Sequence, residues 1–472
     1  MRKTKIVCTL GPSTDDEEIL RSLMLAGMNV ARVNFSHGTH EEQKVRMDMV
    51  KKLREELQLP IAILLDTKGP EIRTRDFEGG KVEIHAGATF TLTSKDILGT
   101  SEIASITYEK LYEDVQVGSR ILIDDGLIEL LVKEIADTDI VCEVINGGIV
   151  SNHKGVNVPD IHLNLPYLSD VDRRDILFGI GQDVDFIAAS FVRNADDVQQ
   201  IRQLLNDNGG ERINIISKIE NAEGVANIDA IIAASEGIMV ARGDMGVEIP
   251  CEEVPVIQKM IINKVYMAGK QVITATQMLD SMMKNPRPTR AETTDVANAI
   301  YDGTSAVMLS GETAAGKYPI EAVKMMARIA QRTEADINYE KRFFQYERTA
   351  NQNVTDAVCH AACTTAIDLH AAAIVIVSKS GVSARNISKY RPSCNIVAGT
   401  TSDKAYRQLN MSWGVTPVRV KEEQEIFTLF DHALEAAKKQ GLLQSGDMVV
   451  IGAGVPLGIS GKTNMLKVQI VE

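Results

Sequence analysis

The chain runs to 472 residues, enough for two to four domains with ample core. Its make-up, 44% hydrophobic, 24% charged and 4% aromatic, is that of an ordinary soluble α/β protein and excludes the disordered classes. A net charge of −13 argues against nucleic acid and anionic membranes as partners, which reward basic stripes, so any phosphate site has to be basic locally.

The opening MRKTKIVCTLGPSTDD turns polar too early for a signal peptide, and no apolar run reaches the roughly eighteen residues of a membrane helix. Of the six cysteines, only Cys359 and Cys363 stand close, at helical spacing without a His cluster, and they read as buried thiols. A cytoplasmic, reducing setting is expected. Short β-branched apolar runs then begin at Thr4, Met28, Ile61, Asp185, Ile213, Gly237, Gln271 and Ser305, with helical patterns between them. Their spacing, about 25 to 35 residues apart from one long gap, suits a strand plus a helix. Eight such units predict an α/β fold, a (β/α)8 TIM barrel over residues 1–69 and 169–345, with its active site where the strands end. A doubly wound sheet is the alternative. Against it, polar residues gather at many strand ends: NFSHG, LDTKGP, SKIEN, ARGD, TATQ and LSGET.

The gap, residues 70–168, reads as short alternating runs, KVEIHAGATFTLTS and RILIDDGLIELLV among them, broken by Gly and Asp-Gly turns. This predicts a small β-barrel inserted after strand 3, at the active-site face, where it can act as a lid that excludes water. Lys68-Gly69-Pro70 and Leu165-Pro166 look like its hinges. Residues 346–472 form a C-terminal α/β domain, with strands in AAIVIVS, NIVAGT, DMVVIGAG and NMLKVQIV.

Lys218 and Glu220 sit two apart in INIISKIEN, so on a strand they project the same way, and Asp244 follows in GIMVARGDMG. An ammonium beside two carboxylates suits phosphoryl transfer: a cation for phosphate oxygens and hard ligands for a divalent metal. A structural ion pair closing the barrel mouth would use the same residues. Period two also places Arg32, Asn34 and Ser36 on one face, a guanidinium for an anion and oxygens for a weakly hydrated cation or a nucleotide, or else a hydrogen-bonded barrel layer. Asp66 and Thr67 end strand 3, Arg73 lies just past the hinge, and Thr276, Ser310 and Glu312 come from the last two strands.

Two phosphate-like motifs need separate readings. Gly461-Lys462-Thr463 resembles the tail of a P-loop, but Pro456 stands where the first Gly belongs and a strand pattern follows. Ser378, Lys379, Ser380, Gly381 and Ser383 lie between a strand and a helix, where hydroxyls and free N–H groups make either an anion site or a plain helix cap.

In order, NFSHG, LDTKGPEIRT, SKIEN, IMVARGDMGVEIP, TATQMLDSM, NPRPTRAE and LSGETAAGKYP resemble the pyruvate kinase family over the whole chain. The resemblance implies transfer of a phosphoryl group from phosphoenolpyruvate to ADP by a homotetramer. It implies Glu220 and Asp244 on Mg2+ or Mn2+, and Arg32, Lys218, Gly243, Asp244 and Thr276 around phosphoenolpyruvate. Asn34, Ser36, Asp66 and Thr67 would hold K+, while Asn34, Phe35, Ser36, His37, Arg73 and Lys154 would line the nucleotide. Lys218, Arg73 and Thr276 would act in the reaction itself. Glu71 beside Thr67 is the combination tied to K+ dependence in this family. An anionic effector is expected at Ser378 to Ser383, although Val382 departs from the basic residue of bisphosphate-activated members. A catalytically silent sugar-phosphate sensor, or another phosphoenolpyruvate-using barrel enzyme, would be the alternative.

Overall fold

In a computed structural model that describes residues 1–345, 353–456 and 462–472, eight parallel strands close on themselves in chain order. They are Lys5–Thr9, Val30–Asn34, Ala62–Asp66, Phe186–Ala189, Asn214–Ile219, Gly237–Ala241, Gln271–Ala275 and Ala306–Leu309, the last pairing with the first. Every strand onset lies within two residues of its expected place, and the closed barrel rules out a doubly wound sheet. The reason is visible in the alternation along each strand. One set of side chains, including Val30, Leu64, Ala188, Ile216 and Met308, fills the interior, and the other set packs outward on the helices. Followed two residues at a time toward the strand ends, these inward series become polar: Leu64 leads to Asp66, Ala188 to Ser190, Ile216 to Lys218 and Glu220. The barrel is dry below and charged at its mouth.

Between the third and fourth barrel strands, Ile72 to Asn157 form a seven-stranded sheet and a two-stranded ribbon around Phe77, Phe90, Ile121 and Val132. Its edges, Ile72–Arg73 and Ile103–Ser105, meet through a bridge between Thr74 and Ile106 and through Arg75 N to Ser105 O at 2.9 Å, so the sheet curls into a small barrel. Where the chain leaves for this unit, Gly69 takes φ +77°, and a Cβ there would stand 2.8 Å from Ser190 Cβ. Where it returns, Arg193 donates to the carbonyls of Leu163 and Leu165, both at 3.0 Å.

The C-terminal sheet runs Val415–Arg419, Asn395–Thr400, Ala373–Val377, Met448–Ala453 and Met465–Ile470, the last antiparallel at the edge. Phe343, on the helix Tyr339–Gln345, already packs into this unit's core, while the boundary expected at residue 346 and the Gly461 of the last loop lie outside the described residues. Met411 closes the barrel floor from below, and Arg407 grips Asp185 at the foot of the fourth strand, Nε to Oδ1 2.7 Å. Among the described residues, no helix is long and apolar enough to cross a membrane.

Candidate active site at the barrel mouth

Four neighbouring strands build one buried network. Asp66 receives Arg32 Nε on one oxygen at 2.6 Å and Lys218 Nζ on the other at 3.1 Å. Lys218 Nζ also lies 2.7 Å from Ser190 Oγ and 3.1 Å from Glu220 Oε1, and Glu220 Oε2 accepts the Phe191 N–H at 2.6 Å. Burial acts to lower the Lys218 ammonium, but Asp66 and Glu220 outweigh it and hold it above its ordinary value. Burial likewise works to raise Asp66, yet Arg32 and Lys218 keep it below the usual carboxylate range. Glu220 is different: burial pushes it up to about 8, opposed by Lys218 and reinforced by Asp244. Lys218 and Glu220 thus meet at the mouth as their two-residue spacing implies, but the carboxylate that stays charged beside the ammonium is Asp66, while burial opposes charge on Glu220.

Asp244 comes from the short helix Arg242–Glu248 after the sixth strand, close enough to act on both Lys218 and Glu220. Gly243 N donates to Thr276 Oγ1 at 2.8 Å, and Thr276 Oγ1 donates to Ala275 O at 2.6 Å, which ties the sixth and seventh strand ends together. Thr276, Gln277 and Phe191 all hold positive φ at these ends, a strain that tertiary structure sustains at functional sites. Above them a cavity of about 660 Å3 lies between barrel and β lid, lined by Glu71, Arg73, Asp125, Lys154, Phe191 and Asp244 among others. Arg73 pairs with Glu71 and donates to His153 O at 2.8 Å, and Lys154 Nζ lies 2.8 Å from Asp124.

The structure thus draws Arg32, Asp66, Lys218 and Glu220 into one cluster, with Gly243, Asp244 and Thr276 beside it and Arg73 and Lys154 on the lid side. Other residues depart from expectation. The second strand stops at Asn34, whose Oδ1 takes the Ser36 N–H at 3.1 Å, so Ser36 sits in a turn and the alternation does not carry it inward. Phe35 packs outward, buried against His40 and Phe178 on the surrounding helices, and can offer a nucleotide only its backbone. His37 accepts Gln43 Nε2 on its carbonyl at 2.6 Å, which fixes the loop. Thr67 donates to Ala188 O at 3.3 Å and accepts Ser190 N at 3.2 Å. The Glu71 carboxylate is engaged by Arg73. Glu312 is no mouth carboxylate: it is buried, accepting Leu279 N at 3.0 Å and Ser310 N at 2.7 Å, and braces the last two strand ends.

In the C-terminal loop, Gly381 N donates to Ser378 Oγ at 3.1 Å, Ser380 O accepts Arg385 at 3.4 Å, and Lys379 reaches Glu422 at 3.1 Å. Ser383 turns inward to Thr463 Oγ1 at 2.5 Å and is buried. Sequence reading missed Ser190 and Phe191, although the inward series Phe186, Ala188, Ser190 carries the same alternation that revealed Lys218.

Among the described residues no group of three His, Cys, Asp or Glu side chains forms a ready-made metal cage. A site with two carboxylates fits a divalent ion that draws its remaining ligands from substrate and water. A (β/α)8 barrel with an anchored ammonium, a guanidinium and paired carboxylates at its mouth, beside an inserted β domain, is built as a phosphotransferase. A family model described as "Pyruvate kinase, barrel domain" matches residues 1–323, and "Pyruvate kinase, alpha/beta domain" matches residues 356–469. The pyruvate kinase of Clostridium acetobutylicum is 53% identical over 477 residues, with 100% of both chains covered. That of Geobacillus stearothermophilus is 52% identical over 473 residues, covering 100% of this chain and 81% of the relative. The crystal structure of a pyruvate kinase from Cryptosporidium parvum superposes with a TM-score of 0.95 at 43% identity, covering 100% of this chain and 96% of that one. The chain belongs to the pyruvate kinase family.

Proposed function

We propose that the chain transfers the phosphoryl group of phosphoenolpyruvate to ADP, giving pyruvate and ATP in the last step of glycolysis, in the cytoplasm. The observation that carries this reading is the Lys218 ammonium, buried and held between Asp66, Ser190 and Glu220 at the barrel mouth. Arg32 and Lys218 bind the phosphate of phosphoenolpyruvate, with Gly243, Asp244 and Thr276 around the rest of the molecule. Lys154 and the Asn34 to His37 loop hold the nucleotide, and Arg73 reaches the migrating group from the lid side. As the group passes in line to ADP its charge spreads over three oxygens, and Lys218 and Arg73 meet that charge. Thr276 Oγ1 already donates to Ala275 O at 2.6 Å, which suits it to orient a water toward the enolate carbon without giving up its own proton.

Glu220 and Asp244 are the residues for Mg2+ or Mn2+. Glu220 Oε1 is buried and takes no hydrogen bond, though Lys218 Nζ lies 3.1 Å away, and such an orphaned oxygen suits a cation. The metal would supply Lewis-acid neutralisation of phosphoryl charge. Asn34, Ser36, Asp66 and Thr67, three neutral groups and one carboxylate, suit K+.

A homotetramer is supported by the edge strand Met465–Ile470, which leaves Leu466, Val468 and Ile470 exposed along one face. An anionic effector at Ser378 to Gly381 remains part of the reading, with Ser383 acting through the buried Thr463 contact. Purified protein given phosphoenolpyruvate, ADP, Mg2+ and K+ should form ATP and pyruvate in equal amounts. Consumption of phosphoenolpyruvate without ADP would point to a lyase or aldolase, and no turnover at all to a silent sensor.

A further inference from the structure

Ser190 helps hold the Lys218 ammonium, but its remaining contacts, to Thr67 and Asp66, enter none of the roles above. It directly follows the fourth barrel strand, is buried, and its hydroxyl lies 2.7 Å from Lys218 Nζ, 2.7 Å from Thr67 O and 3.2 Å from Asp66 Oδ1. A hydroxyl has one proton to give and two lone pairs to offer. An ammonium can only donate, so Ser190 Oγ accepts from Lys218, and its own proton goes to Thr67 O, the shorter of its two remaining contacts. The Ser190 backbone N–H meanwhile donates to Thr67 Oγ1 at 3.2 Å. One residue thus fixes both the carbonyl and the hydroxyl of Thr67 and one corner of the Lys218 ammonium.

The donor count at Lys218 gives this weight. Two of its three N–H groups are held by Asp66 Oδ1 and Ser190 Oγ, while Glu220 Oε1 lies 3.1 Å from Nζ without a hydrogen bond. The third N–H is the one left to reach a phosphoryl oxygen. Asp66 and Ser190 meet hydrogen-bond geometry and Glu220 Oε1 does not, so the Glu220 contact yields first. Asp66 and Ser190 are then the two points that keep the ammonium aimed, and both also belong to the group of oxygens around Thr67.

We propose that Ser190 is a positioning residue that couples the monovalent-cation oxygens at Asp66 and Thr67 to the aim of Lys218. The inference rests on the phosphoryl-transfer reading above. Order imposed on Thr67 and Asp66 by K+ passes through the Ser190 hydroxyl to the ammonium, and removal of the hydroxyl separates the two.

The test compares wild type, Ser190→Ala, Ser190→Thr and Ser217→Ala. Ser217 is a buried serine on the outward face of the fifth strand, 2.7 Å from Ser235 Oγ, and controls for loss of a buried hydroxyl. Three quantities are measured: kcat across a K+ series, KM for ADP at saturating K+, and the shift of the thermal midpoint by K+ against tetramethylammonium, with phosphoenolpyruvate present and ADP omitted so that nothing turns over. Loss of a hydrogen bond to a charged group predicts that Ser190→Ala lowers kcat by about ten- to a hundredfold. It should also raise half-activating K+ several-fold, halve the K+-dependent thermal shift or more, and leave KM for ADP within twofold. Ser217→Ala should keep wild-type values, and Ser190→Thr, which retains the hydroxyl, should restore the K+ response at least in the thermal shift. A wild type that makes no ATP from phosphoenolpyruvate and ADP would overturn the functional reading and this inference with it. An active wild type whose Ser190→Ala variant keeps kcat, half-activating K+ and thermal shift within twofold would overturn the inference alone.

Discussion

Glu220 carries a buried carboxylate oxygen with no hydrogen bond, a state that is costly unless a cation takes it up. Glu220→Gln should therefore cut kcat by about a hundredfold and raise the Mg2+ needed for half-maximal rate, a loss on the scale of one preorganised charged group. A Mg2+ titration of initial rate checks this, and chelation should abolish activity until Mg2+ or Mn2+ is returned. The proposed K+ ligands Asn34, Ser36, Asp66 and Thr67 predict a K+ requirement: in tetramethylammonium medium free of K+ the rate should collapse, and full activity there would contradict the proposal. Residues of this kind were unequally legible. Lys218 and Glu220 could be read from two-residue spacing because charge is conspicuous at the end of an apolar run. Ser190 was not, because a serine after FIAA looks like the start of any loop, and its partners Lys218 and Asp66 come from other strands. Its role exists only once the barrel has set those strands side by side.

At the scale of elements, Gly69 is where the lid leaves the barrel. A side chain there meets both a positive φ and contacts of 2.8 Å to Ser190 Cβ, 3.0 Å to Ser190 O and 3.1 Å to Phe191. Gly69→Ala should destabilise the protein by about 1–3 kcal/mol and lower kcat by displacing Ser190 and the Phe191 N–H that holds Glu220. Thermal unfolding and steady-state kinetics on the same variant decide it, and an unchanged kcat would separate the hinge from the site. Strand onsets were readable because β-branched runs bounded by polar residues report two-sided burial. Strand ends were less so. The alternation predicted for Ser36 fails because Asn34 turns its side chain back onto the Ser36 N–H, and Glu312 faces backbone N–H groups that sequence spacing does not reveal.

Across the whole molecule, the barrel floor meets the C-terminal domain through buried basic side chains. Lys5 Nζ donates to Val415 O at 2.6 Å, and burial, with Arg2 adding, lowers its pKa to about 7 against the restraint of Glu334. Above about 10.5 the amine is neutral in both states; between 7 and 10.5 only the unfolded chain holds the proton, so stability rises with pH across that window. The unfolding free energy of wild type relative to Lys5→Met should thus increase by about 3 kcal/mol from pH 7 to 10. Trp413, the single tryptophan and buried beside Lys3 and Arg391 at this seam, reports the transition by fluorescence. A difference that stays flat with pH would contradict a neutral buried amine. This seam was not legible beforehand, since the lysines of MRKTK look like a solvated terminus until the second domain covers them. Lys218 is the residue on which phosphoryl transfer most depends. Measuring ATP formation from phosphoenolpyruvate and ADP by wild type and Lys218→Met, with folding checked by thermal melt, tests it most directly. A rate reduced by hundreds-fold or more in a folded variant is predicted, and near-normal kcat would contradict the assignment of phosphoryl transfer to this ammonium.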